Sequence, residues 1–143
     1  MKIKLATYII ILINLSAIDS KMTIEQLKNT MKPFKNTCLK KVADVDPVMV
    51  EGTKQGNFPD DPTLKCFFKC TLQMLKVLKN GELSVQAMMN QIDIMMSEEL
   101  VDKTKAIVVD CDGKSKNLED ICERSFAFVK CFYEADSELY FFP

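Results

Sequence analysis

After the first twenty residues, apolar side chains recur three and four positions apart in six successive stretches, as on one face of an amphipathic helix. The clearest stretch is Asp61 to Lys79, with apolar positions from Leu64 to Leu78. Asp61 is a suitable N-cap, Pro62 suits the first helical position, and Asn80-Gly81 suits a helix end. No convincing strand pattern occurs. The sequence therefore predicts an all-α fold in which this third helix is central.

Two helices are predicted before the central one. The segment Thr23 to Gln26 is a capping box that opens the first helix, and Pro33 should kink or split that helix. Asp46-Pro47 opens a short second helix, which Gly52 or Gly56 ends. The inner face of the first helix consists of Ile24, Leu27, Met31, Phe34 and Cys38.

Three helices are predicted after the central one. Ser84 caps the fourth helix and Ser97 caps the fifth, which Gly113 ends. Asn117 caps the sixth helix, which runs from Leu118 to about Tyr133. The inner face of the fourth helix begins with Val85, Met88, Met89 and Ile92.

The N-terminal segment has the pattern of a secretory signal peptide. Basic residues in Met1 to Lys4 precede an apolar run from Leu5 to Leu15, and small residues follow. The run is too short to span a bilayer comfortably. We expect cleavage after Ser20, with Ala17 as the alternative. This gives a signal peptide at residues 1–20 and one helical domain at residues 21–143.

All six cysteines lie in the predicted secreted part, and an even number in an exported chain favours three disulfides. Zinc is disfavoured, because the chain has no histidine and no CxxC pair. Cys66 and Cys70 project from one side of a helix, and Cys122 and Cys131 are about half a turn out of phase. Excluding these two pairs leaves ten of the fifteen possible pairings open.

Composition excludes several classes of function. Nineteen basic and twenty acidic residues give a net charge of −1, which offers no electrostatic basis for nucleic-acid binding. The absence of histidine removes the Ser-His and Cys-His nucleophile pairs, and bridged cysteines leave no thiolate. We therefore expect neither an enzyme nor a cofactor nor a metal. Nine methionines and nine phenylalanines favour a pliable apolar cavity.

The cysteine spacing C-x27-C-x3-C-x40-C-x10-C-x8-C resembles that of the insect odorant-binding proteins, the pheromone- and general-odorant-binding family. The LKCFFKC segment, the KNGEL turn and the AFVKCFYEAD segment share the likeness. The resemblance implies a compact six-helix domain around an internal apolar cavity. It also implies the disulfides Cys38–Cys70, Cys66–Cys122 and Cys111–Cys131.

The same resemblance implies a function and its setting. The protein would be a secreted carrier that solubilises odorants, pheromones or similar lipophilic molecules in an extracellular fluid such as sensillum lymph. It would be a monomer or weak homodimer, and any membrane odorant receptor would be an indirect partner. The alternative is a secreted helical signalling or interaction protein that presents its apolar face to a protein partner. Displacement of a fluorescent apolar probe discriminates between the two.

Helical phase and family position together give candidate ligand-binding residues on four segments of the chain. Thr104 is the inward polar residue of its helix, so its hydroxyl could bond a ligand oxygen, although a helical threonine more often bonds its own backbone. The tail residues Leu139 to Phe142 are expected to fold back as a wall of the cavity. The candidates are Leu72, Leu75, Met89, Ile92, Met96, Leu100, Thr104, Ile107, Val108, Phe128, Phe132, Phe141 and Phe142.

Without histidine, any release of ligand on acidification must depend on carboxylates. The candidates flank the tail: Asp136, Glu138 and Glu134. Their expected cationic partners are Lys130 and Arg124.

Overall fold

The computed structural model describes residues 21–143. The predicted signal peptide, residues 1–20, lies outside them and stays a prediction. Within the described residues, no helix has both the length and the apolarity needed to cross a bilayer. The helices are α1 (Ile24–Lys41), α2 (Pro47–Gly52), α3 (Pro62–Met74), α4 (Val85–Met95), α5 (Glu98–Ser115) and α6 (Ile121–Ala135), with a 3-10 turn at Thr53–Gln55 and strands β1 (Leu78–Lys79) and β2 (Glu82–Leu83).

The predicted capping box opens α1. The Thr23 hydroxyl accepts a hydrogen bond from the Gln26 amide at 3.2 Å, and the Gln26 side chain accepts one from the Thr23 amide at 2.9 Å. The helix then runs without a break through Pro33 to Lys41. The expected split at Pro33 is therefore wrong, because the buried faces of Leu27, Met31 and Cys38 hold both halves in one helix.

Helix α3 begins as predicted and ends five residues early. The Asp61 carboxylate accepts hydrogen bonds from the amides of Thr63 and Leu64. At the other end Lys76 has a φ of 59°, and the Val77 amide donates to the Leu72 carbonyl at 3.1 Å. This is a Schellman motif with lysine where glycine is usual. The prediction that the helix continues to Lys79 is wrong, because the chain turns there to bury Val77.

The residues expected to stop α3 instead form a hairpin turn. Asn80 and Gly81 have φ angles of 53° and 80°, as a two-residue turn between antiparallel strands requires. The turn pairs Leu78 with Leu83 on the buried side of the ribbon. The expectation of no strand missed this ribbon, whose strands are two residues each.

Two predicted boundaries between α5 and α6 also differ. Gly113 lies inside α5, which continues to Ser115. The Ser115 hydroxyl donates to the Cys111 carbonyl at 2.8 Å.

Helix α6 begins at Ile121, and its N-cap is Asp120, which accepts from the Glu123 amide. Asn117 and Leu118 lie in the exposed connection before it. The aspartate competes better for the cap because it also places a negative charge at the positive end of the helix.

Helices α3 and α6 form the centre of the molecule. Their facing side chains, including Phe67, Phe68, Phe128 and Val129, are almost fully buried. Each of these helices carries two bridged cysteines. The bridges are Cys38–Cys70, Cys66–Cys122 and Cys111–Cys131, the pairs that the resemblance implies. They join α1 to α3, α3 to α6, and α6 to α5, so four helices form one covalent frame.

Candidate ligand cavity

An apolar cavity of about 160 Å³ lies beside the α3–α6 pair. Side chains from α1, α4 and α5, the turn after α3 and the C-terminal tail complete its wall. Fifteen of the eighteen lining residues are apolar, and the other three are Thr30, Gln91 and Thr104. The apolar ones are Leu27, Met31, Phe34, Leu72, Leu75, Val77, Met88, Ile92, Met95, Met96, Val108, Phe128, Phe132, Phe141 and Phe142.

The lining has a buried floor and a partly exposed rim. Thr104, Val108 and Phe132 on the floor are 0%, 3% and 1% exposed. The rim residues keep contact with solvent: Thr30 and Phe34 on α1, Leu75 at the end of α3, Gln91 and Met95 on α4, and Phe141 in the tail. Most of the solvent-facing rim of the cavity is therefore supplied by α1 and α4.

The C-terminal tail forms one wall, as the sequence predicts. Phe142 is buried, and its ring lies 5.7 Å from that of Phe132 on α6. Phe141 lies 5.8 Å from Phe132 and stacks on Phe142 at 4.8 Å. Edge-to-face and offset-stacked geometries are favourable for aromatic rings at these separations. The last aromatic residues therefore pack against α6 and form part of the cavity wall.

Tyr140 anchors this tail to the rest of the molecule. The ring is buried, with Tyr133 at 5.2 Å and Phe58 at 6.2 Å, and its hydroxyl donates to the Thr53 hydroxyl at 3.1 Å. Burial raises the pKa of the Tyr140 phenol, so the group stays neutral and keeps this donor. Gly56 permits the neighbouring Tyr133 ring to approach the backbone closely, because a Cβ at this position would lie 3.0 Å from that ring.

This arrangement of helices, bridges and cavity can be compared with known proteins. Residues 20–135 match the PBP/GOBP family. The chain belongs to that family. Curated relatives include general odorant-binding protein 72 of Anopheles gambiae, 27% identical over 120 residues that cover 84% of this chain and 98% of the relative. Another is general odorant-binding protein 19a of Drosophila melanogaster, 22% identical over 127 residues that cover 87% and 86%.

Solved structures show the same fold. Odorant binding protein 5 of Apis mellifera superposes with a TM-score of 0.73 at 32% identity, covering 86% of this chain and 99% of that one. Odorant binding protein 4 of Chrysopa pallens gives a TM-score of 0.73 at 30% identity, covering 85% and 99%. Both comparisons confirm the all-α, three-disulfide fold of the PBP/GOBP family. The relatives are named for binding odorants and not for a reaction.

In this PBP/GOBP chain, ten of the thirteen candidate ligand-binding residues line the cavity. The remaining three, Met89, Leu100 and Ile107, pack against the core outside the lining. Met89 follows the lining residue Met88, and Ile107 precedes the lining residue Val108. Each therefore points about 100° away from the cavity-facing side of its helix. Leu100 shares the face of Thr104 but lies one turn nearer the start of α5. The ten are Leu72, Leu75, Ile92, Met96, Thr104, Val108, Phe128, Phe132, Phe141 and Phe142.

Eight lining residues were absent from the candidates: Leu27, Thr30, Met31, Phe34, Val77, Met88, Gln91 and Met95. Helical periodicity already predicted that several of them face inward, since Leu27, Met31 and Phe34 belong to the predicted inner face of α1. Nothing in their pattern separates a cavity wall from ordinary core. Val77 gave no signal, because its place depends on the left-handed residue that ends α3.

The partner of the tail carboxylate differs from expectation. Asp136 at the end of α6 pairs with Lys103 on α5, and it also accepts from the Glu138 amide at 2.9 Å. The hydrogen bond from Lys103 lowers the pKa of Asp136 below its usual value. The expected partners bind elsewhere: Lys130 contacts Glu134 on the same helix, and Arg124 pairs with Asp112. Asp136 and Lys103 therefore fasten the start of the tail to α5.

Two of the three polar lining residues have hydrogen-bond partners within the protein. The Thr30 hydroxyl donates to the Leu27 carbonyl at 2.7 Å. The Gln91 amide donates to the Leu75 carbonyl at 2.7 Å, which also joins α4 to the end of α3 across the rim. The hydroxyl of Thr104 has no partner among the described residues.

Proposed function

We propose that this chain is a secreted carrier that binds and solubilises small hydrophobic molecules in the cavity. The observation that carries the proposal is the lining itself, in which fifteen of eighteen residues are apolar. Membership of the PBP/GOBP family and the odorant-binding names of the relatives support it. The cavity offers no constellation of nucleophile and base, since histidine is absent from the chain and no cysteine among the described residues is free.

The mechanism is transfer of an apolar surface from water into a cavity that is already formed. Each Å² of apolar surface removed from water contributes roughly 25 cal/mol, from which the entropy lost on binding is subtracted. The three disulfides hold α1, α3, α5 and α6 around the cavity. A frame of this kind reduces the tendency of the walls to collapse when the cavity is empty.

The dimensions of the cavity favour a small ligand. A volume of about 160 Å³ is similar to that of engineered apolar cavities of about 150 Å³ that bind benzene. The four lining methionines, Met31, Met88, Met95 and Met96, are unbranched and adapt to irregular shapes. We expect a single ring or a short chain to fit directly, and larger ligands to require movement of these methionines.

The cellular setting is part of the same proposal. The signal peptide predicted at residues 1–20 and the three disulfides support export to an oxidising extracellular fluid. Sensillum lymph is such a fluid, and there the ligand would be an odorant or pheromone. The carrier would act as a monomer or weak homodimer, with an odorant receptor as an indirect partner.

Filling the cavity tests the proposal. Val108→Phe places a ring on the buried floor and should abolish displaceable binding of a naphthalene-based fluorescent probe. The matched control is Val109→Phe, the same substitution on the next residue, whose side chain is 56% exposed and outside the lining. It should bind the probe like the wild-type chain. Absence of probe binding by the wild type, or equal binding by both variants, would contradict the proposal.

The rival function, an interaction protein with an apolar docking face, has less support. Such a protein needs a contiguous exposed apolar patch. The large hydrophobic residues exposed in the described part of the chain are Val48, Ile94, Val109 and Leu118, which lie on α2, α4, α5 and the α5–α6 connection. The tail aromatics that would have supplied a patch are packed inside.

A further inference from the structure

Among the buried serine and threonine residues that the structure describes, Thr104 is an exception in its hydrogen bonding. The other four are Thr53, Thr71, Ser115 and Ser125. Each donates to a carbonyl three or four residues earlier in the chain, at 2.7 to 3.1 Å. Thr104 is 0% exposed, and its hydroxyl oxygen has no partner among the described residues.

An unpartnered buried hydroxyl is costly, so its place is informative. Leaving such a group unsatisfied carries the full desolvation penalty of the group. Thr104 stands on the floor of the cavity, one turn before Val108. A water molecule there would need two to four polar partners. The other polar lining residues lie on the partly exposed rim and are bonded to the Leu27 and Leu75 carbonyls, so a water molecule on the apolar floor would have few polar partners besides Thr104.

We infer that Thr104 is the specificity-determining residue of the cavity, and that the ligand class is an apolar molecule carrying one hydrogen-bonding oxygen. A threonine hydroxyl can donate to a carbonyl or accept from an alcohol. Rotation about χ1 exchanges the hydroxyl with the methyl group at nearly constant volume, and threonine in a helix populates two such rotamers. The hydroxyl can therefore turn toward a bound oxygen without repacking the floor. This inference rests on the proposed carrier function.

The inference also defines what the Thr104 hydroxyl adds for an oxygenated ligand and does not add for a hydrocarbon. A hydrocarbon of the same shape fills the cavity and leaves the Thr104 hydroxyl unsatisfied. An oxygenated ligand gains one hydrogen bond in an apolar surrounding, with a net value of roughly 0.5–1.5 kcal/mol. For the same ligand, that corresponds to roughly a 2- to 12-fold gain in affinity over a chain that lacks the hydroxyl.

The experiment compares benzyl alcohol with ethylbenzene, which have the same number of heavy atoms and differ by a hydroxyl in place of a methyl. Affinities are measured by displacement of the naphthalene-based probe from the wild type and from Thr104→Val. The substitution should lower the affinity for benzyl alcohol by roughly 2- to 12-fold and leave the affinity for ethylbenzene unchanged or higher. Thr104→Ser, which keeps the hydroxyl, should bind benzyl alcohol more tightly than Thr104→Val does.

The matched control is Thr71→Val, which removes an equally buried hydroxyl that lies outside the lining and already donates to the Phe67 carbonyl. It should leave both affinities unchanged, and circular dichroism should show every variant folded. If Thr104→Val changes both affinities by one factor, or changes neither, the role of Thr104 is overturned while the carrier function stands. If the wild type binds neither molecule nor the probe, the carrier function fails and the role of Thr104 fails with it.

Discussion

At the residue scale, Thr104 and Asp136 show how single polar groups matter in a mainly apolar molecule. Thr104 has a buried hydroxyl without a partner, and Asp136 has a carboxylate held by Lys103. The first lowers the stability of the empty protein, and the second ties the tail to α5. Each therefore makes a distinct prediction for the ligand-free chain.

Thr104→Val should stabilise the ligand-free protein. The substitution removes an unsatisfied hydroxyl and keeps the side-chain volume, so the free energy of unfolding should rise by about 1 kcal/mol. For a domain of this size the melting temperature should rise by roughly 3–5 °C. Thr71→Val is the control at equal burial, where the hydroxyl donates to the Phe67 carbonyl at 3.1 Å, and its melting temperature should stay or fall. A lower melting temperature for Thr104→Val would show that the hydroxyl is satisfied.

Acidification should loosen the tail only at low pH. Because Lys103 lowers the pKa of Asp136 in the closed state, the stabilisation is present above the pKa of the released tail, about 3.9. It is lost as pH falls through the lower pKa of the closed state. Affinity for the probe should thus be constant from pH 7.5 to about 5 and decline below about 4.

Asp136→Asn should lower affinity at neutral pH and remove this part of the decline. Glu134→Gln is the control, since Glu134 contacts Lys130 within the exposed face of α6 at 3.9 Å. The affinity of the control should follow the wild type at every pH. A steep loss near pH 6.5 that survives Asp136→Asn would exclude this ion pair as the determinant.

Residue-level prediction from sequence worked where one physical rule decides the position. The carboxylate of Asp61 at a helix start and the aromatic residues of a chain end were both placed correctly. The partners of charged side chains were not predicted correctly. The chain has many lysines, and the sequence does not show which of them the fold brings close to a given carboxylate. Asp136 therefore pairs with Lys103 and not with the expected Lys130 or Arg124.

At the element scale, periodicity predicted the existence of each described helix better than its ends. Helix α3 continues its apolar pattern past Met74, yet the chain leaves the helix at Lys76. A lysine carries no signal for a left-handed conformation, which costs about 1 kcal/mol or more in a residue with a Cβ. Burial of Val77 and Leu78 outweighs this cost, so a tertiary contact decides the boundary.

Truncation of the tail after Glu138 should reduce ligand affinity by about tenfold or more while most helicity remains. The deletion removes Phe141 and Phe142 from the lining and the buried ring of Tyr140. Losing two aromatic walls exposes the ligand to water on one side, which reduces the apolar area that it buries. Displacement of the probe and far-ultraviolet circular dichroism measure the two effects.

The control for truncation is Tyr140→Phe, which keeps the anchoring ring and loses the hydrogen bond to Thr53. Thr53 still donates to the Val50 carbonyl at 2.7 Å, so we expect a loss of about 1 kcal/mol in stability and an unchanged affinity. Unchanged affinity after truncation would show that the tail does not contribute a wall in solution.

At the scale of the whole molecule, the bridges connect four helices in the series α1–α3–α6–α5. Helices α2 and α4 carry no bridge, and α4 supplies part of the rim. The cysteine spacing and the resemblance gave this connectivity, whereas helical phase alone left ten pairings open. Long-range pairing is a property of the whole chain that local patterns do not contain.

Removing the Cys66–Cys122 bridge should destabilise the protein more than removing Cys111–Cys131. The sequence separations are 56 and 20 residues, and a longer loop costs more entropy to close in the unfolded chain. The chain-entropy relation gives roughly 4 kcal/mol and roughly 3 kcal/mol for the paired Cys→Ala variants. Urea denaturation of the two double variants measures the difference. The reverse order would mean that native contacts, and not loop length, dominate.

The four methionines of the lining have a consequence for the chemical lifetime of the carrier. Oxidation converts methionine to its sulfoxide, which is polar and chiral. Met95 is part of the rim and partly exposed, whereas Met31, Met88 and Met96 are buried. Among these four, peroxide should therefore attack Met95 first and place a polar group at the solvent-facing rim of the cavity. A bound ligand would shield the buried thioethers, so the lining methionines of the ligand-bound carrier would be oxidised more slowly than those of the empty carrier.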